Sequence, residues 1–128
     1  MGKMTYANII ETVFARFPFL EQRYLDEGDH IFGLPYLCFA FVFVPYLREV
    51  VENNDVEAMQ QICDFLEEMA ISKDKKVSNL MAVGVLEDIL PERSLIEILK
   101  KYLKVETKKW LVHLEKAYGW ETESAENI

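Results

Sequence analysis

Acidic side chains are the groups in this sequence whose spacing best suits chemistry. Asp64, Glu67 and Glu68 lie three and four positions apart, which places them on one face of a predicted helix. Glu87 and Asp88 lie on the next predicted helix, so the two acidic sets approach each other if those helices pair. Carboxylates placed in this way bind a metal ion, form a solvated helix face, or offer a surface to a basic partner.

A metal centre built from these groups is disfavoured by the shortage of histidine. A di-iron carboxylate site in a helix bundle requires a Glu-x-x-His motif on each of two helices. The chain has two histidines, and the only Glu-x-x-His match runs from Glu27 to His30 across Gly28, a residue expected to end a helix. The sequence therefore predicts no metal and no cofactor.

Catalytic motifs are also missing from the sequence. Nucleophilic catalysis needs a Ser, Cys or Thr beside a general base, but no spacing brings His30 or His113 toward Cys38 or Cys63. The two cysteines lie in apolar surroundings, which is typical of buried free thiols. Neither a G-x-G-x-x-G pattern nor a Walker A pattern is present. We therefore predict a protein that is not an enzyme and has no small-molecule substrate.

The net negative charge of the chain indicates which classes of partner it can bind. The chain of 128 residues has a formal net charge of −8, and residues 1–72 contain 4 Lys and Arg against 12 Asp and Glu. An acidic surface keeps a small domain soluble, repels nucleic acid and anionic membrane, and attracts basic proteins. A basic group follows later, but it lacks the interleaved aromatic residues of nucleic-acid-binding surfaces and is more typical of a solvated helix face. This group comprises Lys100, Lys101, Lys104, Lys108 and Lys109.

The location of the protein is predicted from its apolar segments. The most apolar run, residues 34–47, is too short to span a bilayer and contains Pro35 and Pro45. The first residues lack the apolar stretch and the small-residue cleavage site of a signal peptide. We therefore expect a cytoplasmic protein with no membrane partner.

Helical periodicity runs through most of the chain and predicts an all-α fold. Six or seven amphipathic helices joined by short connections should pack as antiparallel hairpins, in an irregular bundle or a short HEAT-like stack. Residues 1–119 are predicted to form one helical domain, and residues 120–128 a frayed tail. The predicted helices cover residues 5–16, 18–27, 35–53, 55–71, 75–90, 95–103 and 106–118.

Helix ends have their own sequence signals. Gly119, like Gly28, is a predicted C-terminal stop. Asn54 and Glu57 have the spacing of a capping box, and Ser94 is placed to cap the sixth helix. Pro45 predicts a kink in the third helix, and whether this helix continues through it stays open.

Five short motifs connect the chain with a known family. They are Phe17-Pro18, Leu34-Pro35-Tyr36, Val44-Pro45-Tyr46-Leu47, Asp64-Phe65-Leu66-Glu67-Glu68-Met69 and Val85-Leu86-Glu87. In these motifs the chain resembles a family of small, mostly uncharacterised bacterial all-helical proteins from about Phe14 to Tyr118. Several members are similar to immunity proteins carried beside polymorphic or contact-dependent growth-inhibition toxins. The resemblance implies a non-catalytic protein that binds a cognate toxin.

The leading hypothesis is therefore an immunity protein that uses its acidic surface to occlude a protein toxin with a basic, nuclease-like domain. The alternative is a non-catalytic helical adaptor or scaffold that joins two other proteins. No nucleic acid is expected as a partner. The predicted partner-binding residues are Asp64, Glu67, Glu68, Glu87 and Asp88, with Asp26, Glu27 and Asp29 as a second surface.

Overall fold

The computed structural model describes residues 3–120, and within this range it contains helices and no strand. Seven helices follow one another, which confirms the predicted all-α fold class. Short 3-10 turns at Tyr6–Asn8 and Asp29–Ile31 precede the first and third helices. The helices are α1 (Ile9–Arg16), α2 (Leu20–Glu27), α3 (residues 35–52), α4 (Val56–Ala70), α5 (residues 75–89), α6 (Arg93–Leu99) and α7 (Val105–Ala117). Residues 121–128 of the tail that was predicted to fray lie outside the described range.

Helix α3 continues past Pro45 because a wide turn precedes the proline. Between the α-helical stretches Pro35–Cys38 and Val44–Glu52 lies a π turn, Phe39–Phe43. There the N–H of Val44 donates to the carbonyl of Phe39, five residues back, and not to the carbonyl four residues back. Pro45 has no N–H to donate and its ring crowds the carbonyl four residues earlier. The π turn widens the helix where that crowding falls, so the chain remains helical.

Helix α5 contains a second π turn, Ala82–Leu86, in which the N–H of Glu87 donates to the carbonyl of Ala82. The two π turns contact each other. Gly84 lies at this contact, where a Cβ would stand 3.0 Å from Leu80 and 3.5 Å from the ring of Tyr36. A side chain at residue 84 would thus make ordinary contact with Tyr36 of α3 and would be crowded only by the end of the Leu80 side chain on α5 itself.

The helices form an irregular bundle and not a linear stack. In a stack each hairpin contacts only its neighbours, whereas α3 contacts α1, α2, α4, α5 and α6, and α7 packs on both α4 and α5. The centre of the core is aromatic: the ring of Phe17 lies edge-on to Phe43 and Phe65, with centroids 5.9 Å and 5.5 Å away. Cys38 and Cys63 are buried free thiols, as predicted, and burial raises the pKa of each to about 12.

Two predicted helix caps are wrong, and two predicted stops are confirmed. Asp55 caps α4 in place of Asn54, because Asn54 takes a left-handed conformation (φ 53°) that ends α3, and Asp55 then accepts the N–H of Ala58 at 3.1 Å. Helix α6 already begins at Arg93, so Ser94 lies inside its first turn and does not cap it. Gly28 and Gly119 end α2 and α7 with φ angles of 105° and 78°.

Candidate functional site

Two of the three predicted binding carboxylates on α4 form ion pairs within the chain. Asp64 lies 2.6 Å from the Nζ of Lys104, and Glu68 lies 2.7 Å from a guanidinium nitrogen of Arg16. Both pairs are solvent-exposed, so water and salt screen the attraction and each pair adds little to the free energy of unfolding. Their charges are partly neutralised where they stand, which reduces their value for attracting a basic partner.

The third α4 carboxylate, Glu67, is held by the start of helix α7. It accepts hydrogen bonds from the backbone N–H groups of Glu106 and Thr107, both at 3.0 Å, and from the Thr107 hydroxyl at 2.9 Å. Helix α7 has no capping side chain at its own N-cap, Lys104. A carboxylate from a neighbouring helix therefore satisfies the N–H groups that a helix start leaves free. Partial burial alone would raise the pKa of Glu67, but these hydrogen bonds and the charge of Lys104 outweigh it and lower the pKa below its ordinary value.

This cap predicts a pH-dependent loss of stability. Replacing Glu67 by Ala should lower the free energy of unfolding at neutral pH by about 1–2 kcal/mol, because two helix N–H groups and a buried hydroxyl lose their acceptor. The folded pKa is depressed, so the ionic part of this stabilisation is present above the unfolded value of about 4.3 and is lost as the pH falls through the folded pKa. Urea denaturation of both proteins from pH 7 to pH 3.5 measures the difference, which should shrink toward the acid end. The exposed neighbour Glu68→Ala is the control, and an equal, pH-independent loss in both variants would contradict the cap.

Of the two predicted binding carboxylates on α5, one is close to an arginine and the other forms no ion pair with any residue that the structure describes. Asp88 lies 3.6 Å from Arg48, whose guanidinium also holds Glu92 at 2.6 Å. Glu87 is half-buried and has no ion-pair partner within residues 3–120. Partial burial raises the pKa of the Tyr36 phenol, and the nearby Tyr6 and the charge of Glu87 raise it further.

The second predicted surface, at the end of α2, remains open to solvent. Asp26 accepts a hydrogen bond from the side-chain amide of Gln22 at 2.9 Å. Glu27 stands 4.0 Å from His30, and Asp29 starts the short 3-10 turn without an ion pair among the described residues. All three carboxylates are exposed.

The predicted site residues do not form one cluster. The α4 carboxylates are tied to α1 and to the start of α7, while Glu87 and Asp88 lie by the first half of α3 and by Arg48. No group of three or more His, Cys, Asp or Glu within residues 3–120 is arranged to hold a metal ion. The prediction that these acidic residues bind a partner stays a prediction.

Sequence reasoning missed an exposed apolar surface on α3, which we call the α3 strip. Leu34, Tyr36 and Phe41 are 48%, 39% and 47% exposed, and Leu37 and Ala40 complete the surface between them. The opposite side of the same helix is fully buried. Contiguous apolar surface of this kind on a small protein marks an interaction site more often than a scattered single residue does.

Acidic groups border the α3 strip on both sides. On the Tyr36 side, α5 presents the exposed Val83 next to Gly84, followed by Glu87. On the Phe41 side lies the segment after α2, in which the ring of His30 stands 6.0 Å from the ring of Phe41. Glu27, 4.0 Å from His30, and Asp29, its neighbour in sequence, belong to the same segment. The arrangement is an apolar centre with an acidic rim.

A buried ion cluster at the other end of the bundle was also missed. Glu115 is almost fully buried, and its carboxylate lies 2.6 Å from Arg93 and 3.3 Å from Lys100. Arg93 also donates to the carbonyl of Leu90 at 2.9 Å. This cluster joins α6 to α7 and is part of the scaffold. The only sequence signal for it was a single acidic residue on the inward side of a basic helix.

Comparison with known proteins assigns the chain to a family. Residues 10–119 match the family described as a domain of unknown function, DUF7674, and the chain therefore belongs to it. The match includes the α3 strip and every carboxylate discussed above. Neither the curated proteins nor the solved structures contain a match to the chain. Among residues 3–120, no helix is both long enough and apolar enough to cross a membrane.

Proposed function

We propose that the protein is an immunity protein that binds and occludes a basic protein toxin of the bacterial contact-dependent growth-inhibition type. The observation that carries the proposal is the α3 strip, an exposed apolar surface with carboxylates on both sides. Its other support is the resemblance of the sequence motifs to a family of mostly uncharacterised proteins, several of which are similar to such immunity proteins. In this account the α3 strip is the centre of the interface.

The composition of the strip suits a tight protein interface. Binding energy in such interfaces is concentrated in a few large aromatic and arginine side chains near the centre, surrounded by a polar rim. Tyr36 and Phe41 are aromatic anchors held on a helix, so little conformational entropy is lost when they are covered. The large aromatic residues on the inner side, Phe39 and Phe43, fix the position of this helix in the core.

The charge of the rim suits a basic partner. Glu87 and Asp29 have no counter-ion among the described residues, and the whole chain carries a net charge of −8. Unpaired charge of one sign raises the rate at which a partner of opposite charge associates, and salt reduces that gain. A toxin with a basic surface would therefore be captured rapidly and then held by the apolar centre.

The proposal is tested by co-expression with the toxin domain that the neighbouring gene encodes. The protein should restore growth of cells producing that domain. The charge-reversed variant Glu87→Lys should protect less well and, in purified form, should associate more slowly at low salt, by about tenfold. The matched control is Glu57→Lys, an exposed carboxylate at the start of α4, away from the strip.

Two results would count against the proposal in different ways. If the wild-type protein leaves growth inhibited, the immunity function is wrong. If Glu87→Lys and Glu57→Lys protect and associate equally, the function stands but the α3 strip is the wrong surface.

An adaptor function has one observation in its favour, the exposure of single apolar side chains along α7 and at its end. Val105, Val112 and Tyr118 are 64%, 49% and 57% exposed, on a helix that packs against α4 and α5. An adaptor would bind the neighbouring gene product without reducing its activity. Growth inhibition that persists although the two purified proteins bind each other would favour the adaptor.

A further inference from the structure

A groove of about 500 Å³ lies where α1, α2 and the segment before α3 meet. Its walls are aromatic, with Tyr6, Phe14 and Tyr24 all half-buried. Glu11 of α1 and Glu21 of α2 also line it. The groove reaches Pro35, the first residue of α3, and the ring of Tyr6 in its wall stands 6.4 Å, centroid to centroid, from the ring of Tyr36 in the α3 strip.

The aromatic walls are held in place by contacts within the protein. The rings of Phe14 and Tyr24 pack edge to face with centroids 5.1 Å apart, and Tyr24 stacks on Phe32 at 4.9 Å. The Tyr24 hydroxyl accepts the backbone N–H of Gly33 at 2.7 Å. A groove whose side chains are already fixed loses little entropy when a ligand enters it.

The two carboxylates of the groove are available to a ligand. Glu11 and Glu21 are exposed, and neither forms an ion pair with any residue that the structure describes. Aromatic faces beside free carboxylates attract a cation that is flat and only weakly hydrated. An arginine guanidinium meets both requirements, because it stacks on aromatic rings and pairs with a carboxylate through two parallel hydrogen bonds.

We propose that this groove binds an arginine side chain supplied by the basic partner, in a segment that continues onto the α3 strip. The proposal rests on the proposed function for the identity of the partner. It does not depend on that function for the chemistry of the groove. Arginine should be preferred to lysine, whose compact, strongly hydrated ammonium neither stacks nor pairs in this way.

The test is an NMR titration of the full chain with N-acetyl-arginine amide, with N-acetyl-citrulline amide as the uncharged control. We expect millimolar binding of the arginine compound, with chemical-shift changes concentrated at the groove residues around Phe14, Tyr24 and Gly33. The citrulline compound should bind about tenfold more weakly, because it keeps the shape and loses the charge. The double variant Glu11→Gln/Glu21→Gln should reduce arginine binding to the citrulline level. A second double variant, Glu57→Gln/Glu97→Gln, removes two exposed carboxylates elsewhere and should leave arginine binding unchanged.

The outcomes separate the groove from the immunity function. Shift changes scattered over the surface, equal for the two compounds, or equally reduced in both double variants would overturn the groove proposal. Arginine binding in the groove together with failure to rescue growth would retain the groove and reject the immunity function. Full rescue of growth by the Glu11→Gln/Glu21→Gln variant, with toxin affinity unchanged, would retain the function and reject a role for the groove in it.

Discussion

Replacing Phe41 by Asp should weaken binding of the proposed partner, a basic toxin domain, by about 100-fold, with little change in the free energy of unfolding. Phe41 is 47% exposed at one end of the α3 strip, so the folded protein loses much less when its ring is removed than it would for a core residue. In the complex the ring would be covered, and an aspartate there would be an ionised group without water. Isothermal titration calorimetry measures the affinity, and urea denaturation measures the stability.

The matched control for this prediction is Ile71→Asp. Ile71 is 60% exposed at the end of α4, away from the strip, and it receives the same change from an apolar to an acidic side chain. Its affinity for the toxin domain should stay within about threefold of the wild type. An equal loss in both variants would mean that exposed apolar residues bind the partner without regard to position.

Replacing Phe17 by Ala should lower the free energy of unfolding by about 3–5 kcal/mol, a large fraction of the stability of a domain of this size. Phe17 is 1% exposed, and its ring lies against Phe43, Phe65 and Tyr46, with centroids 5.9 Å, 5.5 Å and 6.0 Å away. Removing the ring forfeits the transfer free energy of the side chain and leaves a cavity at the contact of α1, α3 and α4. Urea denaturation followed by far-ultraviolet circular dichroism measures the change.

Phe19→Ala is the control for this core variant. It changes the same residue type two positions later, where the side chain is 51% exposed, and should cost less than about 1 kcal/mol. If the two variants are equally stable, the aromatic centre does not hold the bundle together as described.

The fold was largely predictable because its signals are local. A period of 3.6 residues in the apolar positions identifies each amphipathic helix, and glycines such as Gly28 and Gly119 mark the ends. The π turns were not predictable: Pro45 signals a disturbance in α3, but a kink, a break or a widened turn would each accommodate the proline.

The candidate site was less predictable, because its formation depends on contacts between residues far apart in sequence. The sequence identified the acidic residues on α4 but not their hydrogen-bond partners. Glu67 binds Thr107, 40 residues away in sequence, and Glu68 binds Arg16, 52 residues away. The α3 strip was hidden for a different reason. Residues 34–47 are apolar on every side of the helix. The spacing of apolar residues therefore cannot tell which side is buried and which is exposed.

The most direct test is hydroxyl-radical footprinting of the protein alone and bound to its proposed partner, a toxin domain encoded by a neighbouring gene. Aromatic side chains react according to their exposure, and the chain exposes them both on and off the strip. We predict that Tyr36 and Phe41 lose most of their reactivity in the complex, while Phe19 and Tyr118 keep theirs. Unchanged reactivity at Tyr36 and Phe41 in a saturated complex would contradict the claim that this helical body binds its partner through the α3 strip.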